Sequence, residues 1–577
     1  MTVTTGGQQA LWPTDLSDIP TERLVASLPE ADWRAKYPDA VQDRTGEEDA
    51  SVAALEELRA IYTSKWFWQV AEHLPHNTLA AGGFGRPRDY PDWLLFLLDM
   101  AAGIAGVGSR RGAVTLLRDQ RVWADFVRHV DMYVPEGWTR LSKITHRPAK
   151  HARRNKSRAT ARTAKTAQVK ALRPVRPTVV RIAAASVGVA CPADHHLNYF
   201  AQMWRGRKKV NGRWVPMVPD DPLYGVRQRV LAAFTDAAIE QAMAMGLLDP
   251  SQPFGFTRAD RNQYVGFDGT VMDMPRRRGN PNATSCEEHQ TCGGTGKAFG
   301  SKFTIASARI TGQYGSRVIL DFAHTGRDRH SRYATETDAV LDIAPRLRDL
   351  SKGGMRGVLM DSALRGQAIV DLQRQWITVV NYPHALANPD RDTKGRLADT
   401  RVEKSHQRGV YTHDDANGLP CEHALYWVGG ELVERYVDAN GDDAIRKVRI
   451  KEYQQRTSAS GVRREYFIVT IQCSLAGDFQ ARVALFHTDA TSTDPDYNWG
   501  EVVRIFAPSS AEAQFLYGAR NDTESRHTNI KARAKYLPID VPGQELRLLG
   551  AAMTMNAVAW QLHLQAHGEN NVLDNTA

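Results

Sequence analysis

The chain contains 577 residues, of which 42% are hydrophobic and 24% are charged, which excludes a wholly disordered, collagenous or coiled-coil protein. At roughly 100 to 200 residues per domain, this length predicts three or four domains. Five cysteines are too few and too scattered for a disulfide framework, and they favour a reducing compartment. The net charge is +9, and the excess positive charge is concentrated in one segment.

Residues 1–145 are predicted to form a helical amino-terminal domain. Apolar residues recur at spacings of three and four in residues 50–75, 92–105 and 112–130, the pattern of amphipathic helices. The amino terminus lacks the basic start and the apolar run of a secretory signal. The best candidate for a membrane span, residues 93–108, is short and contains Asp99. We therefore expect a soluble, cytoplasmic protein with no membrane partner.

Residues 146–177 are predicted to be an exposed basic arm or linker. Eleven Lys or Arg residues and no Asp or Glu occur between Arg147 and Arg176, and the Ala, Thr and Ser spacers cannot form a core. A polyanion is the natural partner of such a segment, because neutralised phosphates release counterions. The cations expected to contact DNA are Arg153, Arg154, Lys156 and Arg158.

The next two regions differ in their periodicity. Residues 178–258 are predicted to be helical, and residues 259–383 contain short β-rich runs. In the second region we expect strands at 264–267, 302–310 and 317–322, a helix at 335–350, a strand at 357–360, a helix at 364–375 and a strand at 376–380. A meander of three strands followed by alternating helices and strands is the order of a ribonuclease H-like α/β core.

The remaining residues complete the predicted fold. Residues 384–506 are rich in strand and turn patterns and are predicted to be a β-strand insertion, whereas 507–577 carry the carboxyl-terminal helices of the core. The expected fold class is therefore α/β, with a ribonuclease H-like catalytic core interrupted by a β-strand insertion and preceded by a mainly helical amino-terminal region.

Three acids are candidates for chemistry. Asp268 closes the apolar run YVGFD, Asp361 closes GVLMD, and Glu524 lies in a later helical segment. Strand ends place side chains at the rim of an open sheet. Three carboxylates that converge there could hold two Mg²⁺ ions about 3.5 to 4 Å apart for phosphoryl transfer.

A spaced motif surrounds Glu524. Tyr517, Arg520, Glu524 and Lys531 follow the spacing Y-x2-R-x3-E-x6-K, which predicts that all four side chains line one face of a single helix. This spacing resembles the motif of IS4-type DDE transposases. The family also places an acid on the first strand, often in a D-x-T setting like that of Asp268, a second acid at the end of the fourth strand, and a β-strand domain before the final Glu.

The resemblance covers roughly residues 260–567 and implies roles for the motif residues. Asp268, Asp361 and Glu524 are implied to be the catalytic metal ligands for two Mg²⁺ ions, for which Mn²⁺ can substitute. One departure is Ser362, because family members often have Arg directly after the second acid.

The same resemblance implies the substrate and the assembly. Arg520 and Lys531 would bind DNA phosphates near the transposon end, and Tyr517 would pack beside the reacting strand. The expected activity is Mg²⁺-dependent cleavage and strand transfer on double-stranded DNA, joining transposon ends to target DNA, by a protein that is a homodimer when bound to DNA.

Alternatives remain open at this stage. A transposase-derived DNA-binding protein without catalysis and a ribonuclease H-like nuclease are the rival functions. The retention of all three acids argues against the first of these rivals. Cys286, His289 and Cys292 could bind zinc, but their spacing matches no standard zinc finger and an ordinary loop is the favoured interpretation. Trp499 could stabilise a flipped base, although a buried core position is the preferred interpretation.

Overall fold

The structure is a computed structural model, and it divides into two compact units, Met1–Glu56 and Glu57–Ala577. The described residues are 47–79, 89–104, 106–144, 189–252, 255–258, 260–290, 296–310, 316–382, 406–415, 417–438, 440–485, 499–534 and 537–567. The first unit is described only at the start of helix α1 (Glu47–Thr63). The fold of the second unit is mixed α/β, and the finer domain boundaries expected from the sequence remain predictions.

Helices dominate the part of the second unit that precedes the main sheet. They are α2 (Lys65–Glu72), α3 (Asp92–Ala101), α4 (Arg110–Leu116), α5 (Gln120–Val130), α6 (Asp194–Trp204) and α7 (Val226–Ala244), with a β-hairpin of β1 (Arg207–Val210) and β2 (Arg213–Pro216) between the last two. Helix α3 is buried on all sides, which explains its continuous apolar run. Within the described residues, no helix has the length and apolar character needed to cross a membrane.

A six-stranded mixed sheet forms the centre of the second unit. Its strands are β3 (Tyr264–Asp273), β4 (Glu287–Gln290), β5 (Lys297–Arg309), β6 (Arg317–Thr325), β7 (Gly357–Leu359) and β8 (Thr378–Val380). Strand β5 pairs antiparallel with β3 on one side and with β4 and β6 on the other. Strands β7 and β8 continue the sheet beyond β3 in parallel.

Two helices connect the parallel strands. Helix α8 (Glu336–Leu350) lies between β6 and β7, and α9 (Gln367–Arg374) lies between β7 and β8. Thr335 begins α8 with a capping box, because its side chain accepts a hydrogen bond from the Asp338 N–H and the Asp338 carboxylate accepts one from the Thr335 N–H. The helix predicted at 335–350 is therefore present nearly to the residue.

The prediction that a strand ends at Asp268 is wrong. Strand β3 continues to Asp273, because the long strand β5 supplies a register partner for each residue from Asp268 to Asp273. The parallel pairing of β3 with β7 nevertheless stops at Gly266. Asp268 therefore lies just beyond the end of β7, although it is inside β3.

The described part of the insertion consists of two antiparallel sheets. The first contains β9 (His406–Asp414), β10 (Pro420–Val428), β11 (Glu431–Val437) and β12 (Asp443–Lys447), and the second contains β13 (Arg449–Thr457), β14 (Arg463–Ile471) and β15 (Phe479–Ala484). Side chains from both sheets share one apolar core that includes Trp427, Phe467 and Trp499. Trp499 is buried, as the preferred interpretation expected.

The carboxyl-terminal helices return to the main sheet. They are α10 (Trp499–Val502), α11 (Ala511–Gly518), α12 (Asp522–Arg533) and α13 (Val541–Ala566). Helix α13 packs on β6, where the Asn556 amide donates to the Ile319 carbonyl and accepts from the Ile319 N–H, at 2.9 and 2.7 Å. This pair of hydrogen bonds fixes the helix against the sheet.

The motif does not lie on a single helix, and this prediction is also wrong. A 3₁₀ turn, Ala519–Asn521, separates α11 from α12. Gly518 is a poor helix former, and Asn521 and Asp522 are residue types that favour the start of a helix. Tyr517 therefore lies on α11, Arg520 on the turn, and Glu524 and Lys531 on α12.

Candidate active site

Two aspartates lie side by side where the parallel pairing of β3 and β7 ends. Gly266 of β3 and Leu359 of β7 are register partners in the parallel ladder. Asp268 follows Gly266 by two residues, and Asp361 follows Leu359 by two residues. Adjacent strands are about 4.8 Å apart, so this register places the two acids next to each other.

Arg520 approaches both aspartates from the turn between α11 and α12. Its Nη2 is 3.9 Å from the Asp361 Oδ2, which is longer than a direct hydrogen bond. Burial disfavours the charge of Arg520, but the neighbouring Tyr517 and the two aspartates outweigh burial and raise its pKa above the usual value. The guanidinium group is therefore a permanent positive charge beside the two carboxylates.

Tyr517 supports Arg520 from the end of α11. The guanidinium lies over the Tyr517 ring, 5.7 Å from its centroid, in a cation–π contact. The Tyr517 ring also contacts that of Tyr382, which follows β8, with ring centroids 4.5 Å apart. Burial raises the pKa of the Tyr517 hydroxyl, so this group stays protonated near neutral pH.

A fully buried arginine ties α12 to the sheet. Arg526 donates to the Gly266 carbonyl at 3.1 Å and to the Ser307 hydroxyl at 2.8 Å. Burial lowers the pKa of Arg526 to about 9, and Asp268 acts in the opposite direction. Arg526 therefore remains charged at neutral pH and fixes the start of α12 above β3.

His527 lies between Arg526 and Asp268. The Arg526 Nη2 is 3.1 Å from the His527 Nε2, and because a guanidinium can only donate, this nitrogen must accept. The proton of the neutral ring is then on Nδ1, which is 3.9 Å from the Asp268 Oδ2. Burial and the surrounding cations lower the pKa of His527 to about 3, so the ring is neutral at physiological pH.

Glu524 and Lys531 occupy the same helix as His527. Position 524 lies one turn before His527, and Lys531 lies one turn after it, so helical geometry places all three on one face of α12. Helix α12 packs against β3, and Lys531 is exposed. The backbone therefore places position 524 on the face of α12 that carries His527.

The residues present fit a hard divalent cation. Carboxylate oxygens are the ligands that Mg²⁺ prefers. One Asp361 oxygen accepts the Ala363 N–H at 2.9 Å, which orients the group, and the carboxylate is 37% exposed. The contact of Asp268 with the neutral His527 and the ion pair of Asp361 with Arg520 are both long, at 3.9 Å. Neither of these two contacts is a tight salt bridge.

Arg153, Arg154, Lys156 and Arg158 lie outside the described residues, as does Cys292.

Cys286 and His289, the described members of the zinc site considered from the sequence, do not lie together in a metal-binding group. Cys286 is buried with its sulfur near the Ser301 hydroxyl, at 3.8 Å, and the His289 Nε2 is 3.2 Å from the Gly300 carbonyl. Neither residue belongs to a His, Cys or acidic cluster among the described side chains.

Sequence reasoning missed Arg526 and His527. His527 follows Glu524 by three residues, so the helical spacing used for the motif also applied to it. Arg526 carried no comparable signal, because its burial depends on the approach of α12 to β3. No protein-family profile matches the chain, and no curated protein sequence matches it significantly.

Proposed function

We propose that this protein is a DNA transposase of the IS4 type that catalyses Mg²⁺-dependent DNA strand cleavage and strand transfer at transposon ends. The observation that carries the proposal is that Asp268 and Asp361 lie next to each other, each two residues beyond the last register pair of the parallel strands β3 and β7. Helix α12, which bears Glu524, packs against β3. These are the three acids that the family resemblance selects.

The strand order supports the finer fold that the proposal needs. Strands β3, β5 and β6 form an antiparallel meander, and β7 and β8 extend it in parallel beyond β3. The insertion strands follow β8 and precede α12, which is where the family places its β-strand domain. We therefore infer a ribonuclease H-like catalytic core.

The three acids would bind the metal ions, and His527 would support one of them. Asp268, Asp361 and Glu524 would hold the metal ions, which supply activation of the attacking oxygen and stabilisation of the leaving oxygen. The neutral His527 directs its Nδ1–H toward Asp268 across 3.9 Å, and it would orient that carboxylate if the two groups moved to hydrogen-bond distance. Since His527 stays neutral, it adds no positive charge that would compete with a cation for Asp268.

Arg520 and Lys531 would bind the DNA backbone. A guanidinium can bind two phosphate oxygens at once, and the long ion pair of Arg520 with Asp361 leaves it able to move to a phosphate. Lys531 is exposed on the same side of α12 and would act as a point charge. The reaction needs two transposon ends held together while they are joined to target DNA, so we propose a homodimer on double-stranded DNA.

The test uses the full chain and duplex DNA that carries the sequences flanking the coding region. With Mg²⁺, we expect cleavage at the element's ends and transfer of the freed 3′-hydroxyl into a second duplex, and a chelator should abolish both reactions. Denaturing gels of end-labelled DNA separate the two steps. If the protein binds this DNA but does not cleave it in Mg²⁺ or Mn²⁺, the transposase proposal fails and a DNA-binding function replaces it. If the protein cleaves the DNA without strand transfer, it is a nuclease rather than a transposase.

A second test concerns the basic arm. Replacement of Arg153, Arg154, Lys156 and Arg158 by Ala should remove about four phosphate contacts and flatten the plot of log affinity against log salt by about 3.6 units. A control variant removes the same number of cations from the exposed surface of the amino-terminal helical region, namely Arg121, Arg128, Arg140 and Lys143. An equal change of slope in both variants would show that the arm has no special role.

A further inference from the structure

The insertion contains a cluster of histidine and cysteine side chains that the proposed function does not use. In the hairpin of β9 and β10, His413 is the register partner of Cys421. Residues on β10 alternate between exposed and buried, and Cys421 and His423 both lie on its buried face. The pleat of this hairpin therefore directs three side chains with metal-binding atoms toward one place.

A second cysteine reaches this place from the other sheet of the insertion. Cys473 lies in the turn between β14 and β15, and its sulfur is within 4.8 Å of the nearest ring nitrogens of His413 and His423. The two His Nε2 atoms are 3.2 Å apart. The Cys421 thiol is in hydrogen-bond contact with Cys473, and both cysteines are free thiols.

The surrounding residues orient these groups as ligands. The His423 Nδ1 is 2.6 Å from the Glu434 carboxylate, so Nδ1 carries the proton and Nε2 presents its lone pair to the cluster. Arg446 holds Glu434 with two hydrogen bonds, at 2.6 and 2.7 Å. This chain of contacts crosses three adjacent strands and fixes the tautomer of His423.

The sulfur of Cys473 is supported in a comparable way. The backbone N–H groups of Leu475 and Ala476 donate to it, which stabilises a thiolate. The ring of Phe479 covers the cluster, with its centroid 4.1 Å from that of His413 and 5.2 Å from that of His423. Cys421, His423 and Cys473 are buried and His413 is half-buried, so three of the four groups have little access to bulk water.

We propose that His413, Cys421, His423 and Cys473 bind one Zn²⁺ ion. Two imidazole nitrogens and two thiolates form a donor set typical of tetrahedral zinc, and four protein ligands define a structural rather than a catalytic site. Tetrahedral zinc separates its ligand atoms by about 3.3 to 3.8 Å. The ligand atoms of His413, His423 and Cys473 already lie within 4.8 Å of one another, and the Cys421 thiol, which contacts Cys473, would rotate toward them to complete the set.

The ion would join the two sheets of the insertion. Three ligands come from β9 and β10 of the first sheet, and Cys473 comes from the β14–β15 turn of the second. Strands β9 and β15 are also neighbours where the two sheets meet. The proposal does not depend on the transposase assignment, because all four ligands lie within the insertion and none belongs to the candidate active site.

The test measures bound metal in the full chain, purified without a metal-affinity tag. Elemental analysis should find about one zinc per chain in the wild type. Cys421→Ser and Cys473→Ser should each lose most of it, whereas Cys191→Ser should keep it because Cys191 lies outside the cluster. A wild type that binds no Zn²⁺ after chelator treatment and titration with Zn²⁺ would overturn the proposal, and so would a Cys421–Cys473 disulfide detected by mass spectrometry.

A milder variant covers the case in which the cysteine variants do not fold. Glu434→Gln keeps all four ligands and removes only the charge behind His423, so the chain should still bind one Zn²⁺, about 10- to 100-fold more weakly. Competition with a chromogenic chelator measures this difference. Unchanged zinc affinity in Glu434→Gln would contradict the role of the cluster as a built metal site.

Discussion

Asp268→Asn is expected to lower the rate of Mg²⁺-dependent DNA strand cleavage by about 10³-fold or more, with DNA affinity nearly unchanged. A metal ion contributes several kcal/mol of transition-state stabilisation, and about 4 kcal/mol corresponds to that factor. The amide keeps the shape of the side chain but removes the negative charge that, on the proposed function, would bind the metal. Asp361→Asn and Glu524→Gln should behave in the same way.

The control for this prediction lies on the same strand. Asp273 ends β3 five residues beyond Asp268 and is exposed, so Asp273→Asn should leave cleavage unchanged. If Asp268→Asn and Asp273→Asn lower the cleavage rate equally, the loss reflects a general effect of negative charge on the interaction with DNA. Single-turnover cleavage of end-labelled DNA, together with a binding titration in the absence of Mg²⁺, measures rate and affinity separately.

A sulfur substitution separates a metal ligand from a structural acid. Mg²⁺ is a hard cation that avoids sulfur, whereas Mn²⁺ accepts a thiolate more readily. Asp268→Cys should therefore be inactive in Mg²⁺ and regain part of its cleavage activity in Mn²⁺. If Mn²⁺ restores nothing in this variant while it supports the wild type, Asp268 does not contact the metal.

Gly500→Ala should lower the stability of the second unit by about 3 kcal/mol, which corresponds to a fall in melting temperature of about 3 °C for a unit of this length. A Cβ atom on Gly500 would lie 2.0 Å from the Gly366 carbonyl oxygen and 2.7 Å from its carbon. Both atoms belong to the backbone at the start of α9, so no side chain can move aside to relieve the overlap. Scanning calorimetry measures the change.

The matched control is the helical glycine of α11. A Cβ atom on Gly518 would meet only the Nη2 of Arg261, at 3.0 Å, which is the end of a flexible side chain. Gly518→Ala should therefore not lower the melting temperature, since Ala also favours the helix. A stable Gly500→Ala protein would show that α10 does not pack on the start of α9 as described.

Local patterns predicted the main elements of the sheet region. The helical spacing of residues 335–350 located α8 almost to the residue, and the β-rich runs located the meander of β3, β5 and β6. These features depend on neighbours within a few positions, so the sequence contains them directly. Their positions at the ends of apolar runs selected Asp268 and Asp361, which the strand register brings together.

Contacts between distant segments decided the rest. Strand β3 runs past Asp268 because β5 is long enough to pair with it, and the burial of Arg526 depends on where α12 meets the sheet. The sequence drew attention to Cys286, His289 and Cys292 because they are close in the chain. The cluster that forms instead unites His413 with Cys473, 60 residues away, through strand register and the meeting of two sheets. Such proximity follows from non-local pairing, which no short window of sequence can encode.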